Sequence, residues 1–563
     1  MKKFLLFFLC FFSASLLLAQ NNGIEEIRKV IIERGEAKIL IPKNSISDIQ
    51  AIANIISLDY PQGDSWLGYV NKKQYESFLK LGIKHSIYIE NGTKALTMAS
   101  TMAQMSNWDS YPTYSVYDSM MRRFASTYPS LCKLDTIGFS VNNKLLLCLK
   151  ISTNPLIDIN KPKFLYTSTI HGDEITGAVL LLRLVDWLLS NYGVNPRATN
   201  IINNTQVYIN PIANPDGMYK PNNNSVSGAT RYNSNYIDLN RNFPDPVMGA
   251  HPDGESYQRE TLAFMAYANS NNFSISANLH GGAEVLNYPW DCYTSSSLSH
   301  PDNQWFKSIC KQFIDSILSS APSSLFKDVS STGYTNGGDW YVVYGGRQDY
   351  QTFFNRGREV TMEISSEKSL STSYLNNYWN YLGRGLITYL ENCQKGIQGI
   401  ILDSATMKPL KAKIMINSHD DNSSFIYSNS NGYYYRPIAP NSYSITYSLE
   451  GYYSKTINAT INSSSILTKD IHLVKNSNSL NRVNSNSNDI AIFPNPCNDI
   501  INIVNSDKQN YSLLYSVFNS QGHKVCSGNI IMGCNLVSID CSRFNPGLYI
   551  INIGAKSFKF IKK

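Results

Sequence analysis

Lys163-Phe-Leu-Tyr-Thr-Ser-Thr-Ile-His171-Gly-Asp-Glu174-Ile-Thr-Gly-Ala-Val-Leu-Leu-Leu-Arg-Leu-Val-Asp-Trp-Leu-Leu-Ser190 decides the fold. Its first eight residues are apolar and β-rich and read as a buried strand, while residues 175–190 read as a buried helix. His171-Gly-Asp-Glu174 therefore occupies a strand-to-helix turn at the carboxyl end of a strand, where open α/β sheets place their ligand sites. A His and a carboxylate spaced i and i+3 in such a turn can both reach one divalent cation, and zinc suits the pair. Alone, the H-x-x-E spacing is more often an ordinary loop pair, so the rest of the chain must supply the rest of the site.

The flanking sequence repeats the alternation. Helix 114–126, strand 144–152, strand 205–211, helix 259–269, strand 273–280, helix 303–319, strand 359–364 and helix 373–391 are predicted in turn. The expectation is an α/β/α domain over residues 109–393, with a mixed, largely buried sheet and helices on both faces. Before it, residues 20–95 alternate strand and helix (strands at 37–42, 66–70 and 85–90, helices at 46–56 and 72–81). That predicts a small α+β, ferredoxin-like module, either an inhibitory prosegment or an appendage. After Cys393 the helices stop. Short strands at 397–401, 413–417 and 444–447, separated by turns such as Ser430-Asn-Gly432, predict a small β-sandwich over 396–475. Residues 476–488, mostly Asn and Ser, read as a linker to a second small β-domain at 489–563.

A chain of 563 residues implies several such domains. Charged residues are 16% and the formal charge of +7 includes no long basic block, so nucleic acid is not an expected partner. Met1-Lys-Lys3 followed by the apolar Phe4 to Leu18 reads as a signal peptide over residues 1–19, and no later segment reaches the length of a stable membrane span. The ten cysteines form no C-x-x-C pair; Cys526, Cys534 and Cys541 cluster near the end and leave a disulfide open there.

Of eight histidines, only His171 and His280 end apolar strands, the second in Ala277-Asn-Leu-His280-Gly281-Gly282. With Glu174 they form a His2Glu set, which leaves an open position for water, as metal-assisted hydrolysis requires. Glu363 ends the apolar strand Val360-Thr-Met-Glu363. A carboxylate there is costly unless it is functional or paired, and Arg356 or Arg358 could pair with it. Arg231, Asn240 and Arg241 share a short polar stretch able to grip a carboxylate and polarise a carbonyl, although a loop of paired charges would look the same.

Taken together, these stretches resemble the M14 zinc metallocarboxypeptidases, in particular the regulatory, carboxypeptidase D-like (N/E) subfamily. The resemblance is carried by His171-Gly-Asp-Glu174, Asn214-Pro-Asp-Gly217, Asp238-Leu-Asn-Arg-Asn-Phe-Pro244, Asn278-Leu-His-Gly-Gly-Ala283 with Tyr288-Pro-Trp-Asp291, Thr335-Asn-Gly337 with Trp340-Tyr341, Gly345-Gly346 with Gln348-Asp-Tyr350, and Thr361-Met-Glu363. It implies one Zn2+ held by His171, Glu174 and His280, with Glu363 as general base and Arg231 as carbonyl polariser. Asn240, Arg241 and Tyr341 are then expected on the substrate's terminal carboxylate. Asp291, supported by Gln348, is expected to receive a C-terminal Lys or Arg, although Asp291 could equally cap its turn. The implied substrates are peptide and protein C termini. An alternative is a cell-wall peptide or amide hydrolase of the same fold, or a non-catalytic surface binding protein.

The flanks also resemble known modules. Residues 396–475 are similar to a transthyretin-like sandwich. Phe493-Pro-Asn-Pro496, Asn519-Ser-Gln-Gly522 and Asn545-Pro-Gly-Leu-Tyr549 are similar to a type IX secretion sorting domain, which implies outer-membrane secretion machinery as a partner and a secreted or surface location. Four departures stand out. Asp173 replaces a common Asn, Glu284 an apolar residue, and Arg347 and Arg358 an apolar and an aromatic residue. If those two arginines face the pocket, they oppose a cationic substrate.

Overall fold

In the computed structural model, which describes residues 23–89, 96–421, 423–476, 490–505, 513–530, 536–554 and 556–563, the strand before His171 is Lys163–Ser168 and the helix after Glu174 is Thr176–Ser190. The signal peptide expected at 1–19 and, apart from Asn476, the linker expected at 476–488 lie outside the described residues. Residues up to Asn476 form one compact unit and those from Ser477 a second.

An eight-stranded mixed sheet carries the first unit. In chain order its strands are β1 (Cys132–Phe139), β2 (Leu145–Ile151), β3 (Lys163–Ser168), β4 (Gln206–Asn210), β5 (Ile275–His280), β6 (Ala283–Tyr288), β7 (Tyr334–Asn336) and β8 (Arg358–Ser365). They lie side by side as β7-β6-β8-β5-β3-β4-β2-β1. The four central strands β8, β5, β3 and β4 are mutually parallel. Every residue of β5 and all but the first of β3 are buried, as a sheet covered on both faces requires.

The covering helices are α1 (Tyr114–Thr127), α2 (Thr176–Ser190), α3 (Arg259–Asn271), α4 (Asn303–Ile317) and α5 (Leu375–Leu390). Period-2 alternation sorts the strands between the layers. Phe164 and Tyr166 join the core shared with α1, α2, α4 and α5, whereas Leu165 joins Ala268 of α3 on the opposite face. Three strands escape the sequence pattern for physical reasons. β1 is half-exposed, β6 carries Glu284, and β7 is three residues long.

The amino-terminal module opens with a helix over 23–34. Its sheet runs Ser57–Gln62, Ser65–Val70, Ala37–Pro42, Ser86–Ile87, all antiparallel, which is the order of a split βαβ unit. The helix expected over 46–56 shortens to Ile49–Ala53, because Asp48 caps it by accepting from the N–H groups of Gln50 and Ala51. Strand Ser57–Gln62, absent from the sequence reading, contains Asp59 and Pro61 and lacks a strand's usual composition.

Residues 396–473 form two four-stranded sheets around their own apolar core of Ile397, Ile414, Ile445, Tyr447 and Leu473. The second unit contains a three-stranded and a four-stranded antiparallel sheet around Ile501, Val517, Ile551 and Phe560. Cys526 and Cys541 are free thiols, as are all the cysteines among the described residues; Cys534 lies outside them. The neighbour of Cys541 is Cys497, from the other end of this unit's sequence. Among the described residues, no helix is long and apolar enough to cross a membrane.

Candidate metal centre and substrate pocket

Three strand ends build the site. Parallel register sets His280, the last residue of β5, directly beside Glu363 on β8, and Leu279 beside Ser168, the last residue of β3. The turn after β3 brings in His171 and Glu174, both buried. One cavity is lined by His171, Glu174, His280, Arg231, Asn240, Arg241, Asp291, Tyr341 and Glu363, so it gathers nine of the ten expected residues. The tenth, Gln348, stands behind Asp291 and donates to its carboxylate at 2.8 Å.

Ligand atoms of His171, Glu174 and His280 all lie within 4.8 Å of one another. The Glu174 oxygens face Nδ1 of His171 at 2.9 Å and Nδ1 of His280 at 2.8 Å. The other nitrogen of each ring is held from behind. Nε2 of His171 lies 3.2 Å from Asp238 and Nε2 of His280 lies 2.7 Å from the Asn278 amide. Two imidazoles and a carboxylate converging on one point, with both rings oriented by hydrogen-bond partners, fit a zinc ion with an open position. Burial alone would raise Glu174, but His171, Lys368 and His280 outweigh it and hold the carboxyl well below its usual range. Burial also lowers His280 to about 4, against the pull of Glu174, which keeps the ring neutral and able to ligate.

Arg231 reaches the same point. Its Nε donates to Asp238 at 2.9 Å and its NH1 lies 3.7 Å from Glu174. Burial works against its charge, but Asp238 and Glu174 outweigh burial and keep the guanidinium protonated. Glu363 is pushed well above the usual carboxylate range by burial and, after it, by Glu174. Neither arginine proposed as its partner takes that role. Arg356 stacks on Phe425 with 4.5 Å to the ring centroid, and Arg358 donates to Asp302 at 2.8 Å.

The substrate end is equally organised. The Asn240 side-chain carbonyl accepts the Arg347 N–H at 2.9 Å, and Asn240 lines the cavity together with Arg241. Gln348 accepts the Thr361 N–H at 2.7 Å through its carbonyl, and this fixes the NH2 that it offers to Asp291. Gly337 passes so close to Asp291 that a Cβ there would lie 1.9 Å from its Oδ1.

The two arginines that threatened a cationic substrate do not line this cavity. Arg347 pairs with Glu359 at 2.8 Å and also donates to Thr167. Arg358 and Arg436 converge on Asp302, and Arg436 also binds Asp420, so this charge cluster joins the α/β domain to the following sandwich. Glu284 is satisfied by the Tyr378 hydroxyl at 3.0 Å and the Phe326 N–H at 3.2 Å. Two further acidic groupings are likewise accounted for. Asp302 with Asp420 serves the arginines, and Asp245 with Asp349 accepts the backbone N–H groups of Val247, Gly345, Asp291 and Cys292.

Three functional neighbours escaped the sequence reading of roles. Asp238 and Asn278 lie within quoted motifs, and Asn278 shares a strand face with His280 at i and i+2, which was a usable signal. Lys368 gave none. Its Nζ bridges Glu174 at 2.5 Å and Asp59 of the amino-terminal module at 3.2 Å.

Comparison with known proteins agrees with this geometry. Residues 117–382 match the Zinc carboxypeptidase family, and residues 491–563 match the Secretion system C-terminal sorting domain, which marks the chain for export to the cell surface or beyond. Carboxypeptidase D of Mus musculus is 33% identical over 63% of this chain, which spans only 26% of that longer protein. Carboxypeptidase M of Mus musculus is 33% identical over 63% of this chain and 83% of its own length. Carboxypeptidase SOL1 of Arabidopsis thaliana is 32% identical over 66% of this chain and 72% of its own. With the His171, Glu174 and His280 triad in place, the chain belongs to the M14 zinc carboxypeptidase family.

Proposed function

We propose that this protein is an exported carboxypeptidase that removes a single C-terminal Lys or Arg from peptides and proteins. The observation that carries the reading is Asp291, buried in the same cavity as Arg241 and the metal triad and braced by Gln348. Burial, then the neighbouring Asp349, push its carboxyl well above the usual range, and a cationic side chain brought against it relieves both effects.

His171, Glu174 and His280 would hold a zinc ion, which would supply a Lewis acid and make hydroxide available near neutral pH. Asn240, Arg241 and the Tyr341 hydroxyl hold the terminal carboxylate, for which a guanidinium fork is well matched. Arg231 polarises the scissile carbonyl and stabilises the charge that develops on its oxygen. Glu363 takes up the proton released as water attacks, and its raised affinity for protons suits a base working near neutral pH. It then delivers that proton to the leaving amine. The carboxyl-terminal unit serves as the handle for the outer-membrane secretion machinery.

The test compares peptides ending in Arg, Lys, Phe, Leu and Glu by kcat/KM, with wild type beside Asp291→Ala. Leaving a buried cation unpaired costs about 3 kcal/mol or more, so the variant should lose roughly 100-fold on Arg and Lys peptides and little on Leu. A wild-type preference for Phe or Leu that Asp291→Ala leaves unchanged would remove the basic specificity from the reading.

A further inference from the structure

We propose that Cys497 and Cys541 close a disulfide once the chain has left the reducing cytoplasm, and that this bond staples the carboxyl-terminal unit. The cluster of Cys526, Cys534 and Cys541 in the sequence does not show this pair, because Cys497 stands 44 positions before Cys541 in the numbering.

Folding brings the two thiols together at one end of the three-stranded sheet. Cys497 lies between strands Ile490–Phe493 and Ile500–Asn505, and Cys541 directly follows strand Leu536–Asp540. Ile500–Asn505 and Leu536–Asp540 are antiparallel neighbours, with Ile500 opposite Asp540. The pairing runs one step further, where the Cys541 N–H donates to the Asp499 carbonyl at 2.6 Å. Cys497 stands two residues before Asp499, and its thiol and that of Cys541 hydrogen-bond to each other. Both side chains are fully buried in the same core. Cys497 is also tied to the end of the chain. Its N–H donates to the Ile561 carbonyl at 2.8 Å, and its carbonyl accepts the Lys563 N–H at 2.9 Å. A bond between the sulfurs therefore links the three-stranded sheet to Lys556–Lys562, the last strand of the four-stranded sheet.

Two thiols become one disulfide by losing two protons and two electrons. The electrons pass to a protein disulfide, the class of oxidant that exported chains meet. One cysteine thiolate attacks that disulfide and forms a mixed disulfide. The second thiolate attacks the mixed disulfide, forms the Cys497–Cys541 bond and releases the oxidant as a dithiol. Packing sets the timing. In the folded unit neither sulfur meets solvent, and burial, then Cys497, push the Cys541 thiol up to about 12. The exchange therefore belongs to the stage before the core closes, and the closed core then shields the bond from reductants. The unit gains from it. An exported domain as small as residues 489–563 has a limited core, for which a bridge is the usual supplement.

The experiment uses the full chain exported from a bacterial host. The protein is denatured in iodoacetamide without reductant, digested and read by mass spectrometry. A linked peptide joining Cys497 to Cys541 is expected, with both cysteines alkylated only after reduction. The second readout is proteolysis of residues 489–563 in moderate urea, before and after dithiothreitol. Reduction of wild type should speed it by about 10-fold or more. Cys497→Ala and Cys541→Ala should be fast from the start and gain nothing further from dithiothreitol. The wild-type comparison involves no substitution, so misfolding of a variant cannot decide the result. Alkylation of both cysteines without reduction would overturn the proposal. So would a bridge from either one to Cys526 or Cys534, or wild-type proteolysis that dithiothreitol leaves unchanged.

Discussion

The Asp238 carboxylate lies 3.2 Å from Nε2 of His171 and 2.9 Å from Nε of Arg231, so one buried acid orients both the His171 ring of the metal triad and the guanidinium proposed to polarise the scissile carbonyl. Burial opposes its ionisation, but Arg231 and His171 outweigh burial and hold Asp238 well below the usual carboxylate range. Replacing it with Asn keeps the shape and removes the charge that both partners use. Asp238→Asn should weaken zinc binding by about 10- to 100-fold, the usual effect of losing a ligand's supporting partner. Competition against a chelator of known affinity measures this directly, and an unchanged zinc affinity would separate Asp238 from the metal site.

Glu363 holds a different position. It lines the cavity beside His280 but is not one of the three clustered ligand donors. Glu363→Gln should therefore retain stoichiometric zinc while kcat falls by about 100- to 10,000-fold, the range for removing a general base. KM should change little, because the groups expected on the terminal carboxylate are untouched. Loss of zinc along with activity would make Glu363 a ligand rather than the base.

How much of this was legible in the chain depends on where each partner comes from. His171, Glu174 and His280 could be read because each sits at the end of a buried apolar segment, where a polar side chain is conspicuous. Arg347 and Arg358 were readable as departures but not as harmless ones. Their neutralising partners, Glu359 on β8 and Asp302 just before α4, meet them only through the packing of the α/β domain. Lys368 and Asp59 stand 309 positions apart in the numbering and no periodicity connects them, so their contact is a product of tertiary packing alone. The same holds for β6 and β7, short or polar strands: β8 offers β6 a paired edge, and β6 in turn offers one to β7.

Gly337 supplies a test of the pocket that leaves Asp291 itself intact. A methyl at this position would lie 1.9 Å from Asp291 Oδ1 and 2.4 Å from Asn287 Oδ1, so one of these groups must move. Asp291 is buried and gripped by Gln348, and its displacement takes the carboxylate out of the position that a basic side chain would meet. Gly337→Ala should cut kcat/KM on Arg and Lys peptides by at least 10-fold, with a smaller loss on Leu peptides. An equal loss on all peptides would place the damage at the carboxylate grip instead.

Stability in acid depends on a residue outside the catalytic site. His300 is fully buried, and its Nδ1 accepts the Asp302 N–H at 2.9 Å, so the ring must be neutral at that nitrogen. Burial lowers it to about 3; Asp302 pulls the other way, and Arg358 and Arg436 add to the lowering. The unfolded chain protonates its histidines near pH 6.5, so below that pH it binds a proton that the folded state refuses. His300 therefore contributes full stability above about pH 6.5, and this contribution drains away as pH falls toward 3, by an amount on the order of a few kcal/mol. The loss falls at the junction where Asp302 also binds Arg358 and Arg436, between the α/β domain and the sandwich. His300→Asn, whose side-chain carbonyl can take over from Nδ1, removes the titration and keeps the acceptor. Thermal unfolding from pH 7.5 to 4 should show Tm falling more steeply in wild type than in the variant. Parallel curves would mean that His300 is not a source of the acid sensitivity.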